Sequence, residues 1–395
     1  MLSQLITRIV NRASLETFSL GFFLACLAGV YGPAFALDLK LQDRLSLPAQ
    51  HYLPAQHDGH FERTAFLAIE RMGERLISVG ERGVIVYSDD QGASWKQAQV
   101  PVSTLITSID AVNANQAWAV GHSGSILYSA DAGANWQLQL DGRQANALLL
   151  AHAQAKVETL KTELAQADEA DQEDLQFSLE DAEFALSNAQ FDLDLGPANP
   201  FLDVLFLNEK QGYAVGAYGL FVKTLDGGAT WQTVAHLLEN FDRYHLNVIS
   251  QLADDTLIIA GEAGTLFASY DRGETWETLY GPYQGSFFGM QANGAENEVL
   301  LYGLKGNIFK TLDGGQSWER IDVDVETSLT ASAMSASGRL AIVGLSGVIL
   351  LSDDKGAHFS KVKTEGFEGF NGVEFVSNSQ LVLVSDEGIQ LLSID

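Results

Sequence analysis

Thr311-Leu312-Asp313-Gly314-Gly315-Gln316-Ser317-Trp318 is one of six copies of a turn signature, Ser/Thr-x-Asp-x-Gly-x-x-Trp, and its recurrence decides the fold. The other copies start at Ser88, Ser129, Thr224, Ser269 and Ser352, and Phe359 replaces the tryptophan in the last. Successive aspartates of the signature, Asp90, Asp131, Asp226, Asp271, Asp313 and Asp354, are 41, 95, 45, 42 and 41 residues apart. A repeat of that length is one four-stranded propeller blade, and the long interval carries an insertion.

A shorter signature precedes each copy: Val79-Gly80-x-x-Gly83, Val120-Gly121-x-x-Gly124, Val215-Gly216-x-x-Gly219, Ala260-Gly261-x-x-Gly264, Tyr302-Gly303-x-x-Gly306 and Val343-Gly344-x-x-Gly347. A degenerate seventh, Val384-Ser385-x-x-Gly388, lies just before the end of the sequence. The expectation is an all-β chain, a seven-bladed β-propeller of four-stranded blades whose seventh blade lacks its fourth strand. Open strand edges invite aggregation, and propellers protect theirs by closing the ring. The alternating segment Leu37-Asp38-Leu39-Lys40-Leu41 is expected to supply the missing strand.

The six aspartates read as structural. A short carboxylate caps backbone amides in a tight turn, glycine takes the left-handed backbone, and the aromatic packs between blades. Six symmetric copies do not make one catalytic site, and one carboxylate per turn does not make a calcium site.

Residues 144–195 contain neither Gly nor Pro, and their apolar positions move to heptad spacing. Leu150, Ala153, Val157, Leu160 and Leu164 form one seam; Leu175, Leu179, Ala182, Leu186, Ala189 and Leu193 form another. An inserted antiparallel α-helical hairpin is expected there, with an acidic connection. Phe177, Phe184 and Phe191 form a second stripe that the seam does not need, so it requires a surface of its own: the propeller or a partner helix.

The first 36 residues have signal-peptide anatomy, with Arg8 and Arg12, an apolar stretch from Phe18 to Val30, and Ala34-Phe35-Ala36 as the cleavage site. An exported protein is expected, periplasmic or, in a photosynthetic host, in the thylakoid lumen, with no membrane insertion after cleavage. Cys26, the only cysteine, would leave with the signal, which excludes thiol catalysis, disulfides and cysteine metal sites. A formal net charge of -28 argues against nucleic acid and anionic lipid surfaces.

The pairing of the two signatures resembles the photosystem II assembly and stability factor family, whose members carry Asp-box, or bacterial neuraminidase, repeats. The resemblance spans about residues 60 to 395 outside the insertion. It implies a seven-bladed, non-enzymatic factor of the lumen or periplasm that binds a membrane protein or its assembly intermediate, with no cofactor and no metal. Photosynthetic members use an arginine-rich surface, whereas this chain has ten arginines after the signal peptide. Sialidases also carry Asp-boxes, but their Arg-Ile-Pro segment is absent. A secreted glycosidase with two carboxylates remains the alternative.

Strand order fixes which loops share a face. Four-to-one connections and two-to-three loops emerge on one side of the ring, and the Asp-containing turns on the other. The hairpin is a four-to-one connection, so it shares its face with the variable loop residues. The candidate partner-binding residues there are Arg82, His122, Tyr218, Arg243, Tyr244, His245, Tyr283, Phe287, Phe288 and Lys305. Sequence leaves the partner's identity and the oligomeric state open.

Overall fold

The computed structural model describes residues 53–56, 61, 63–295, 297–363 and 369–394. The expected signal peptide, residues 1–36, and the expected closing strand, residues 37–41, lie outside these.

Seven antiparallel sheets follow one another along the chain, each a simple meander. Blade 1 comprises Phe66–Met72, Arg75–Gly80, Ile85–Ser88 and Lys96–Gln97. Blades 2 to 6 repeat this plan and begin at Ile106, Phe201, Leu246, Phe287 and Leu329. Blade 7 has three strands among the described residues, Gly372–Ser377, Gln380–Ser385 and Gly388–Ser393.

The second strand of every blade is buried along nearly its whole length, as expected for a sheet sandwiched between two others. The core is accordingly split into clusters between neighbouring blades. The last such cluster joins Phe66, Leu76 and Val86 of blade 1 to Val382 and Val384 of blade 7.

The repeat turn is held by its own side chains. In blade 1 the Ser88 hydroxyl accepts the Gly92 amide and donates to Asp90 Oδ1, both at 2.8 Å. Asp90 then accepts the Ser94 amide at 2.8 Å and the Ser94 hydroxyl at 2.5 Å. Hydrogen bonds from the Ser94 side chain, the Ser94 amide and Ser88 hold the Asp90 carboxyl down to about 2. Asp131, Asp226, Asp271, Asp313 and Asp354 make the same set of bonds and are likewise held low.

The first glycine of the shorter signature answers a close approach. In blades 1 to 6 the residue that opens strand one pairs across the hairpin with it, as Phe66 with Gly80, Phe201 with Gly216 and Phe287 with Gly303. A Cβ on Gly80 would lie 2.1 Å from the Ala65 carbonyl oxygen, so any side chain there would push the blade open.

The insertion is two helices, α1 (Gly142–Gln166) and α2 (Gln172–Leu195). The first starts two residues before the expected boundary at 144, because Asp141 and Gln144 form a reciprocal capping box around Gly142. Val157 and Leu160 of α1 meet Leu179 and Ala182 of α2 along the expected seam.

Candidate partner-binding face

The two-to-three turns of blades 1 to 6 each hold their second variable residue in a left-handed conformation, including Arg82 (φ 57), Tyr218 (φ 56) and Lys305 (φ 58). That backbone is uncommon for residues with a Cβ and is kept here by the flanking strands. Arg82, Tyr218 and Lys305 are exposed, as is His122 at the preceding position of its turn. Desolvation by surrounding protein holds the His122 imidazole below its ordinary value. Arg82 is paired with Glu81 at 3.3 Å.

Tyr218, Arg243 and His245 come together where blade 3 meets blade 4. The Arg243 guanidinium forms an ion pair with Asp192 of α2 at 2.5 Å, donates to the Tyr218 carbonyl at 3.3 Å and lies 5.9 Å from the Tyr218 ring centroid. His245 accepts the Tyr218 amide on Nδ1 at 3.0 Å and stands edge-on to the Tyr218 ring at 4.8 Å. The His245 amide donates to Glu262 at 3.2 Å. Tyr244 is tied to Asn240 on either side by amide and carbonyl bonds, which fixes the loop that presents Phe241, 83% exposed.

This network anchors the base of the hairpin. Asn146 of α1 donates to the Asp192 and Gly196 carbonyls at 2.8 and 3.0 Å. His152 of α1 stacks on His236 of blade 3, with ring centroids 4.3 Å apart. Desolvation first, then nearby Lys156, holds the His152 imidazole below its ordinary value. Ala145 is buried in the cluster between blades 2 and 3.

Phe287 is not on this surface. It is fully buried at the start of the inner strand of blade 5, packed edge-on against Phe309 at 6.2 Å. Tyr283 leans on the same pair and is half-buried. Phe288 follows on the strand and is also half-buried. The buried residue in this position recurs as Phe66, Phe201, Leu246 and Leu329, each opposite a loop glycine, and that repeat was the sequence signal for core. Tyr280, 96% exposed, is the neighbouring aromatic that sequence reasoning passed over.

The inner strands also carry four carboxyls raised above the ordinary range, chiefly by burial: Glu70, Asp110, Asp203 and Glu374. Asp110 accepts the Phe206 amide of the next blade at 2.6 Å. Asp203 accepts Ser108 at 2.7 Å and the Ile249 amide of the following blade at 2.9 Å. Glu374 pairs with Arg71 across the junction of the last and first blades at 3.3 Å. Three of the four thus tie blades together. Among the described residues no group of three or more His, Cys, Asp and Glu side chains is placed to hold a metal ion, and no helix is long and apolar enough to cross a membrane.

Residues 185–284 match the family model described as photosynthesis system II assembly factor YCF48. The matched segment contains the blade 3 and blade 4 residues of the network. No curated protein matches the chain. Among solved structures, YCF48 bound to D1 peptide superposes with a TM-score of 0.56 at 15% identity, over 84% of this chain and 94% of that one. YCF48 from Cyanidioschyzon merolae gives 0.56 at 11%, over 84% and 96%. The WD40 β-propeller domain of Doa1 gives 0.55 at 9%, over 88% and 97%, so the shared architecture reaches beyond one family. In the matched segment and in fold, the chain resembles the photosynthesis system II assembly factor family of β-propellers.

Proposed function

We propose that this chain is an exported, non-catalytic propeller that binds a membrane protein or its assembly intermediate, through the face that carries the hairpin. The observation that carries the reading is the non-repeating network of Asp192, Arg243, Tyr218 and His245 beside exposed Phe241 and Tyr244. Rigid aromatic and arginine side chains on loops of a fixed scaffold are the usual anchors of protein recognition. The structural likeness to YCF48 bound to D1 peptide supports a protein ligand drawn from a membrane complex. The bonds that Asp110, Asp203 and Glu374 of the inner strands make between blades favour a structural role for them.

The test is capture from detergent-solubilised membranes of the source cells by the immobilised chain, against a Tyr218→Ala, Phe241→Ala double variant. A membrane protein retained by the parent and lost by an equally stable variant supports the reading. Equal retention by both overturns the assignment to this face.

A further inference from the structure

Phe177, Phe184 and Phe191 stand on α2 with 66, 68 and 64% of their surfaces exposed. A spacing of seven keeps them in one line on an α-helix, drifting only ~20° per step and spanning roughly 21 Å. Leu195, also exposed, continues that line toward the base of the hairpin. The side of α2 that packs on α1 lies opposite and is already filled by Leu179, Ala182 and Ala189. The phenylalanines therefore contribute nothing to the hairpin seam, and the hairpin does not lay them on the propeller. Its base is fixed by Asp192 to Arg243, by Asn146 and by the stacked histidines, so the ladder has a set direction and its apolar surface is preformed.

The charge around the ladder selects what can cover it. Helix α2 carries Glu173, Asp174, Glu180, Asp181, Glu183, Asp192 and Asp194 and no lysine or arginine. Asp192 is taken by Arg243 and Glu183 by Lys161 of α1. Helical geometry puts Glu180 on one side of the phenylalanine line and Asp174 and Asp181 on the other, so the stripe is apolar with acidic margins. A second copy of this surface would bring acid against acid, in a chain whose formal charge is -28. An anionic membrane meets the same repulsion.

We infer that the outer face of α2 is a docking site for a basic amphipathic helix of a partner protein, its apolar residues seated on the phenylalanine ladder and its lysines or arginines over the acidic margins. This deepens the proposed partner-binding role by assigning a second contact surface and its chemistry. Helix-on-helix recognition of this kind reads heptad-spaced anchors and is oriented by flanking charges.

The test uses two synthetic helical peptides of about three heptads with leucine at the seam positions, one with lysine and one with glutamate elsewhere. Binding to the purified chain is read by fluorescence anisotropy. The lysine peptide should bind and the glutamate peptide should not. Phe177→Ser, Phe184→Ser, Phe191→Ser together should weaken binding at least about tenfold, as expected when buried aromatic anchors are removed. Because the three side chains are exposed, the triple variant should melt with the parent.

Equal binding of the lysine peptide to parent and triple variant would overturn the proposal, since general attraction to an acidic protein would then suffice. A concentration-dependent dimer abolished by the triple variant would overturn it in favour of a second copy. Phenylalanine-dependent co-sedimentation with neutral lipid vesicles, without peptide binding, would overturn it in favour of a bilayer. The assay needs no native partner, so its failure leaves capture by the Tyr218 face a separate result.

Discussion

Asn371 of blade 7 donates its side-chain amide to the carbonyl of Phe66 in blade 1 at 3.0 Å, joining residues from opposite ends of the propeller. The same bond recurs between other neighbours. Thr107 donates to the Phe201 carbonyl at 2.8 Å, Asn247 to that of Phe287 at 2.8 Å, and Thr330 to that of Phe370 at 2.6 Å. Phe66, Phe201 and Phe287 lie at the bulge where strand one opens, and Phe370 just before strand one of blade 7. The last-to-first junction is built from the same parts as the junctions within the chain.

Asn371→Ala should consequently cost about 1–3 kcal/mol, the usual penalty for leaving such a carbonyl unpaired. Urea denaturation gives the measurement, and a midpoint unchanged from the parent would mean that water replaces the amide freely. Removal of Leu37 to Leu47, the segment expected to complete blade 7, should lower the midpoint further and promote aggregation through the strand Gly388–Ser393. A soluble truncated chain of parental stability would dispose of the proposed closing strand.

The turn aspartates and the inner-strand aspartates respond to pH in opposite senses. Asp90 is held at about 2 when folded, so its contribution is present above the unfolded value near 3.9 and is lost as pH falls through about 2. Asp110 is raised to about 7 by burial, with Asp203 adding repulsion against an amide bond that lowers it. Its folded form keeps the proton longer than the unfolded chain. Stability from that group is complete below about pH 4 and declines as pH rises through about 7.

Asp110→Asn should remove that decline and keep an acceptor for the Phe206 amide. Since Asp110 retains some solvent access, the gain at about pH 8 relative to about pH 5 should be on the order of 1 kcal/mol. Parallel urea midpoints for parent and variant at both values would refute the assignment.

Asp313→Ala should cost about 1 kcal/mol, since the Ser317 amide and hydroxyl, bonded to Asp313 at 2.8 and 2.5 Å, can turn to water in an exposed loop. Partner capture below the melting transition should be unchanged. Loss of capture without loss of stability would move the binding site to the opposite face of the ring.

The architecture was legible because it is periodic. Six aspartates and six glycine pairs set the blades, and apolar heptads set both helices. Phe287 was misassigned for a related reason: it sits beside Tyr283 and Phe288 in a connection with no repeat of its own. Its pairing with Gly303 makes it the counterpart of Phe66 and Phe201, and the recurrence of a large apolar residue at that position was the signal to read. The Asp192–Arg243 pair was not legible, because its partners lie on different elements and nothing in either local pattern refers to the other. Neither was the His152–His236 stack, which depends on how the hairpin leans on blade 3.

That lean changes what a hairpin deletion will do. The ends of the insertion belong to the propeller core: Ala145 is buried between blades 2 and 3, Leu148 and Leu149 pack on the same cluster, and Asn146 ties α1 to the Asp192 and Gly196 carbonyls. Excising residues 144–195 should therefore cost about 2–4 kcal/mol from lost apolar burial and exposed neighbours. A shorter excision that keeps residues 142–153 and 189–196, joined by glycines, retains those contacts as well as Asp192 with Arg243 and His152 with His236. Loop shortening by itself costs little entropy, so this variant should melt close to the parent. It also removes Phe177 and Phe184 while leaving the network around Tyr218 in place. Membrane-protein capture that survives the short excision and disappears in the Tyr218→Ala, Phe241→Ala variant would assign the primary contact to the ring. Capture lost in the folded short excision would assign it to α2.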